Sequence, residues 1–158
     1  MPDMPDQGPT LALALAFDFA STPVEVRGAL ERVARALDGI GWDAETRGTV
    51  ELVLAEALNN IVEHAYGGAP DGRIQLALDA TAGRADLVIR DSGGAMPGHR
   101  LPAGAPVDPD VCGDLPEGGF GWYLIRRLAS HLSYRRTEGC NRLEIHMRRA
   151  DHAGGGTG

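Results

Sequence analysis

Lysine is absent from this sequence: all 15 basic residues are arginines, set against 22 acidic ones for a formal net charge of −7. An acidic chain without a basic block is a poor binder of nucleic acid or of anionic membranes. The missing lysine also excludes the Walker A loop and the strand lysine of protein kinases as ways of holding a nucleotide. Cysteine is nearly absent, with only Cys112 and Cys140. The leading "MPDMPDQGPT" is acidic and Pro-rich, unlike a signal or transit peptide, so reduced thiols and a cytoplasmic location are expected. Long apolar runs are missing too: "LALALAF" stops at Asp18, too short to span a bilayer. Aromatic residues make up only 5% of the chain.

What remains is ordinary globular composition, 43% hydrophobic and 23% charged over 158 residues, enough for one domain with a core. Residues 1–10 and 150–158 read as a disordered and a flexible tail around a domain at 11–149. In "LALALAFDF", Leu11, Leu13, Leu15, Phe17 and Phe19 alternate with small or polar residues, as in a strand with one face on a core. Ser21 or Thr22 can cap a first helix with Pro23 in its first turn, patterned on Val24, Leu30, Val33, Ala34 and Leu37 and ended by Gly39 and Gly41. Asp43 caps a second helix running to about Tyr66. "RIQLALDA" and "RADLVIRD" are two strands joined by a short turn. Ser92 to Gly119 has no period and holds half of the 10 prolines, the mark of a lid or binding loop. "FGWYLIRRLASHL" is a third helix, and "LSYRR" and "NRLEIHM" are closing strands. This order predicts an α+β two-layer sandwich: a mixed β-sheet with three helices on one face.

Three stretches can carry chemistry. In "AEALNNIVEHAY", Leu54, Leu58, Ile61 and Ala65 share one narrow arc of the helix, while Glu56, Asn60, Glu63 and His64 fall opposite. A solvated face accounts for that period, yet two adjacent asparagines are poor helix-interior residues. A carboxylate and an amide one turn apart can reach one object: the carboxylate is a base, and the amide oxygen a hard ligand suited to Mg²⁺. In "VIRDSGGAMP", Asp91 closes an apolar strand ahead of Gly93 and Gly94. By itself this is a strand-ending turn; at a pocket mouth the carboxylate could accept from the exocyclic amine of a purine. In "LPEGGFGWYLIRRL", Gly118, Gly119 and Gly121 open a helix, whose free N–H groups and dipole favour phosphate. Leu124 and the preceding lid keep this from being the Rossmann fingerprint.

Taken in order, Glu-x-x-x-Asn on a helix, Asp-x-Gly after a strand, a long lid and Gly-x-Gly opening a helix resemble the three nucleotide boxes of the GHKL (histidine-kinase-like) ATPase superfamily. The compact size, the "EHAY" after the asparagine and "GGFGWYLIRRLASHLSYRR…NRLEI" look like the anti-sigma factor serine kinases. The resemblance spans about Leu11 to Met147. It implies the GHKL fold, ATP and Mg²⁺ as cofactors, and Glu56 as the base that takes the proton from a partner's Ser hydroxyl. It implies Asn60 as the Mg²⁺ ligand, Asp91 at the adenine amine, Gly93 making room for the base, and Gly119 and Gly121 against the phosphates. His64 stands where the family often has a histidine and is grouped with the cofactor-binding residues. The implied partners are a STAS-domain anti-sigma factor antagonist, phosphorylated on Ser, an RNA polymerase sigma factor, and a second copy of the chain; neither nucleic acid nor membrane is among them.

Some positions depart from the pattern. Ala95 stands where the fuller Asp-x-Gly-x-Gly motif has its last glycine, Trp122 where a leucine is common, and Asn141 and Arg142 where a threonine often contacts adenine. The lid offers only His99 and Arg100 as cations for a γ-phosphate. These departures favour the alternative, a regulatory interaction module that sequesters a partner, with or without ATP, and transfers no phosphate. A sensor histidine kinase fragment is disfavoured because no helical phosphoacceptor hairpin precedes the first box. A zinc hydrolase on His64 lacks the His-Glu-x-x-His spacing. Phe17, Phe19, Val24 and Leu30 read as core; any that is exposed marks a candidate surface for dimerisation or sigma-factor contact.

Overall fold

The computed structural model describes residues 12–102 and 120–149. Both expected tails, most of the expected lid, Cys112, Gly118 and Gly119 lie outside the described residues.

Strand β1 (Ala12–Ala20) is followed by helices α1 (Pro23–Gly39) and α2 (Ala44–Asn60). Thr22 caps α1, its hydroxyl accepting from the Glu25 N–H at 3.2 Å. The Asp43 carboxylate caps α2, accepting from the Thr46 N–H at 3.3 Å and the Thr46 hydroxyl at 2.7 Å. Each cap satisfies donors that the first turn of a helix leaves free. The second helix does run on to Ala65, but its last turn, Ile61–Ala65, is π-helical. Then come β2 (Arg73–Thr81), β3 (Arg84–Asp91), α3 (Phe120–Leu128), β4 (His131–Thr137) and β5 (Cys140–Arg148). The third helix stops at Leu128, short of the expected Leu132, because Ser130 leaves it to donate its N–H to the His146 carbonyl, 2.8 Å away.

The five strands form one sheet in the order β1-β2-β3-β5-β4, and every pairing is antiparallel. The expected mixed sheet is therefore corrected. Two helices, not one, separate β1 from β2, so the chain returns reversed. The strand that runs parallel to β3, β4, is kept from it by β5. Alternation sets the faces. Ile74, Leu76, Leu78, Leu87, Ile89, Leu143 and Ile145 are buried under the helices, which offer Val33, Leu37, Val50, Leu54, Leu58 and Ile125. The opposite face of the sheet carries no helix among the described residues and, apart from Val88 on β3, is polar or small.

Of the four residues expected in the core, Phe19 is buried, and Phe17 and Leu30 pack at its edge, with the Arg32 guanidinium 4.0 Å over the Phe17 ring. Val24 is a correction: it is 76% exposed, because the buried stripe of α1 is Val26, Ala29, Val33 and Leu37. No described helix is long and apolar enough to cross a membrane.

Candidate active site

Glu56 and Asn60 lie one turn apart on α2, both half-buried. The Asn60 Nδ2 donates to the Glu56 carbonyl at 2.8 Å. A carbonyl only accepts, so the amide nitrogen is committed to the helix, and Oδ1 is left for the cleft that Asn60 lines. Gly121, in the first turn of α3, sits directly over this pair: a Cβ there would come 2.5 Å from Glu56 Oε2 and 3.6 Å from Asn60 Nδ2. Only a glycine lets the start of α3 approach the carboxylate this closely.

The π-helical turn brings the second stretch in. Its distinguishing bond runs from the Tyr66 N–H to the Ile61 carbonyl, 3.0 Å. The Ala65 carbonyl, freed by this turn, accepts from the Gly94 N–H at 2.7 Å. Gly93 packs against the same group; a Cβ at Gly93 would lie 2.5 Å from the Ala65 oxygen. The glycine after the Asp91 strand thus has a reason inside the protein itself: it lets the loop close on the end of the helix. The Tyr66 hydroxyl adds a tie, donating to the Arg73 carbonyl at 2.5 Å and accepting from the Ser92 N–H at 2.8 Å.

Asp91 ends β3 and is 5% exposed. Its Oδ1 accepts from the Gly93 N–H at 2.9 Å and from Asn141 Nδ2 at 2.8 Å. Asn141 is its direct partner across the β3–β5 ladder. The Asn141 amide is saturated in turn: Nδ2 also reaches the Gly94 carbonyl at 2.8 Å, while Oδ1 accepts from Tyr134 at 2.5 Å and from Arg136 at 2.8 Å. Arg136 also donates to the Gly93 carbonyl at 2.9 Å. Burial pushes the Asp91 carboxyl above its usual range, against the pull of the Asn141 and Gly93 donors and of the Arg136 charge. With Oδ1 committed, Oδ2 is the oxygen left to a ligand.

A cleft of about 200 Å³ joins these groups, walled by Ala57, Ile61 and Ala65 from the helix, Met96 and Pro97 from the loop, Trp122 from α3 and Leu143 from the sheet. Asn60, His64, Asp91 and Asn141 are among its polar lining. Apolar walls with a few fixed polar groups suit a flat heterocycle. His64 is on the rim and exposed, within 4.0 Å of Glu63. Arg126 on α3 donates to the Pro102 carbonyl at 2.8 Å. Arg100 is exposed.

Of the expected site residues, Asn60, His64 and Asp91 line the cleft; Gly121 packs against Glu56 and Asn60, and Gly93 against Ala65, without lining it, while Gly119 lies outside the described residues. Sequence reading missed Tyr134 and Arg136 and gave Asn141 no role in holding Asp91. The available signal was Tyr134 and Arg136 alternating on one face of β4; the contact itself depends on strand register. Glu56 is not among the cleft's lining residues; its carboxylate packs against Gly121.

An antiparallel five-stranded sheet covered on one face by helices, with a cleft between the second helix and the end of the third strand, defines an α+β sandwich of the histidine-kinase-like type. Residues 19–147 match the family described as the histidine kinase-like ATPase domain, and the chain belongs to that family. The serine/threonine-protein kinase BtrW of Bordetella bronchiseptica is 37% identical over 105 residues, which cover 66% of this chain and 72% of that protein. The serine-protein kinase RsbW of Bacillus licheniformis is 28% identical over 91 residues, 56% of this chain and 57% of that one. A crystal structure of the RsbU and RsbW domains of a Mycobacterium tuberculosis protein superposes with a TM-score of 0.59 at 17% identity, over 87% of this chain and 32% of that one, a likeness of fold.

Proposed function

We propose that this chain binds ATP with Mg²⁺ and acts as a serine-protein kinase and anti-sigma factor, phosphorylating a Ser on a STAS-domain antagonist in a partner-switching system. The observation that carries the reading is one cleft lined by both Asn60 and Asp91, with Glu56 one helical turn before Asn60 and the start of α3 closing on its carboxylate at Gly121. The kinases named among the relatives support it. The partners it implies are the antagonist, a sigma factor and a second copy of the chain, all in the cytoplasm. Val24, exposed on α1, is the candidate contact surface.

Each residue then has a task. Asp91 accepts from the adenine amine through Oδ2, its orientation fixed by Asn141, Tyr134 and Arg136. Gly93 leaves the base space beside the helix end, and His64 stands at the rim. The free Oδ1 of Asn60 is a hard neutral oxygen and fits Mg²⁺; when bound, the ion neutralises phosphate charge. Gly121, at the start of α3, and Gly119 before it in the sequence are the residues assigned to the phosphates, since the N–H groups of a helix start complement negative charge. Glu56 takes the proton from the attacking Ser hydroxyl. Positioning and exclusion of water direct transfer to protein over hydrolysis.

Phosphate transfer from labelled ATP to a STAS partner is the test. Glu56→Ala is expected to abolish transfer while keeping ATP binding; full transfer by that variant would sink the base assignment. ATP binding with no transfer by the wild type, with the correct partner present, would mark the sequestering module instead.

A further inference from the structure

The sheet face turned away from the helices carries a second cluster, unrelated to the cleft. His131 on the edge strand β4 stands directly across from His146 on β5, and Asp86 on β3 stands across from His146 on the other side. Glu144 lies two residues from His146 on the same strand and so on the same face. One ligand-capable atom each from His131, Glu144 and His146 falls within 4.8 Å of the others. The His146 Nε2 is 2.8 Å from Glu144 Oε1 and 3.8 Å from Asp86 Oδ1. The two imidazole rings are 4.7 Å apart between centroids and tilted by 39°.

The arginines around the cluster sort the carboxylate oxygens. Arg142 takes Glu144 Oε2 at 2.8 Å, and Arg84 takes Asp86 Oδ2 at 2.7 Å. Each carboxylate therefore turns its other oxygen towards His146. Asp86 Oδ1 is buried and has no hydrogen-bond partner among the described residues. A buried carboxylate oxygen without a partner is costly, and a cation would satisfy it. The His146 ring stands between the Glu144 and Asp86 carboxylates, with the exposed His131 ring beside it. Two imidazoles and a carboxylate gathered within 4.8 Å are a donor set that a metal ion can take.

We propose that His131, Glu144 and His146, supported by Asp86, form a surface site for a borderline divalent transition metal of the Zn²⁺ class. Two imidazoles and a carboxylate suit Zn²⁺, whereas Mg²⁺ and Ca²⁺ select all-oxygen sets. Three protein ligands leave one position open to water. Asp86 turns its unpartnered Oδ1 to the same His146 nitrogen that faces Glu144, on the side of the ion, where it can join the ligand set directly or through a water. Because the ligands come from β4 and β5, with Asp86 on β3, the ion fastens the edge strand to the sheet.

The test is titration of the full chain with Zn²⁺ in the absence of nucleotide and Mg²⁺, by calorimetry, with Co²⁺ visible absorption as a report on ligand type. The wild type is expected to bind one equivalent saturably and to unfold at a higher temperature with Zn²⁺ present. His131→Gln and His146→Gln are each expected to weaken binding by at least about tenfold, with His64→Gln unchanged. Imidazole NMR signals of His131 and His146 should shift on adding Zn²⁺. Far-UV circular dichroism checks that both variants fold, and the exposed His131 position keeps at least one of them sound. No saturable binding by the wild type, or equal affinity in the His131→Gln/His146→Gln double variant, would overturn the site.

Discussion

Burial of Asp91 disfavours its charged form. Burial raises its pKa in the folded chain, so the folded state binds the proton more tightly than the unfolded state. Below the unfolded value of 3.8 both states are protonated and the group costs nothing. As pH rises through the folded pKa the carboxylate ionises in place, and that stability is lost. Asp91→Asn removes the charge while keeping an oxygen for the Gly93 and Asn141 donors. Its Tm at pH 7 is expected to equal or exceed the wild type's, by up to about 1 kcal/mol or 2–4 °C, and the gap should close as pH falls towards 4. On the proposed reading the same variant loses about 1.5–3 kcal/mol of ATP affinity, about 10- to 100-fold, because an amide NH₂ cannot accept from the adenine amine. Thermal unfolding across pH, beside ATP titration, checks both halves; a variant less stable at neutral pH would contradict the burial argument. Asn141→Ala should act oppositely on stability, costing about 1–3 kcal/mol by stripping a buried carboxylate of a donor.

At the scale of elements, the π-helical turn and the two glycines that meet α2 are what draw the boxes together. Gly93→Ala would push a methyl into the Ala65 carbonyl, a backbone atom with little room to retreat. A loss of about 1–3 kcal/mol is expected in denaturant unfolding. Gly121→Ala meets the tip of the Glu56 side chain instead, which can swing away. Its stability should stay within about 0.5 kcal/mol of wild type, while phosphate transfer falls with the displaced carboxylate; equal losses of stability in both variants would argue against this distinction. The elements themselves were legible where the signal is local. Ser21 or Thr22, and Asp43, announced their helices; of the first pair it is Thr22 that caps, and "RIQLALDA" and "RADLVIRD" were legible as strands. The π turn was not legible, since Ile61–Ala65 keeps a helical pattern of burial. Nor was the end of α3, because Ser130 leaves the helix for a contact with His146 that only the sheet provides.

At the scale of the molecule, the antiparallel course of the sheet comes from β5 entering between β3 and β4, a choice made by tertiary packing that no local pattern records. The same insertion sets Asn141 beside Asp91, so the Tyr134–Asn141–Arg136 support of Asp91 depends on strand register and was not legible, whereas the spacing of Glu56 and Asn60 on one helix is a local pattern. A ligand that binds only the folded state stabilises it by about 2.7 kcal/mol at a hundredfold excess over its Kd. ATP with Mg²⁺ should therefore raise the wild-type Tm by several degrees, and should fail to do so in Asn60→Ala. The most decisive measurement is calorimetric titration of the full chain with ATP, with and without Mg²⁺, beside Asn60→Ala and Asp91→Ala. Mg²⁺-dependent binding by the wild type, lost in both variants, is the expected result. No binding by the wild type, or binding that both variants retain in full, would contradict a nucleotide site in this cleft.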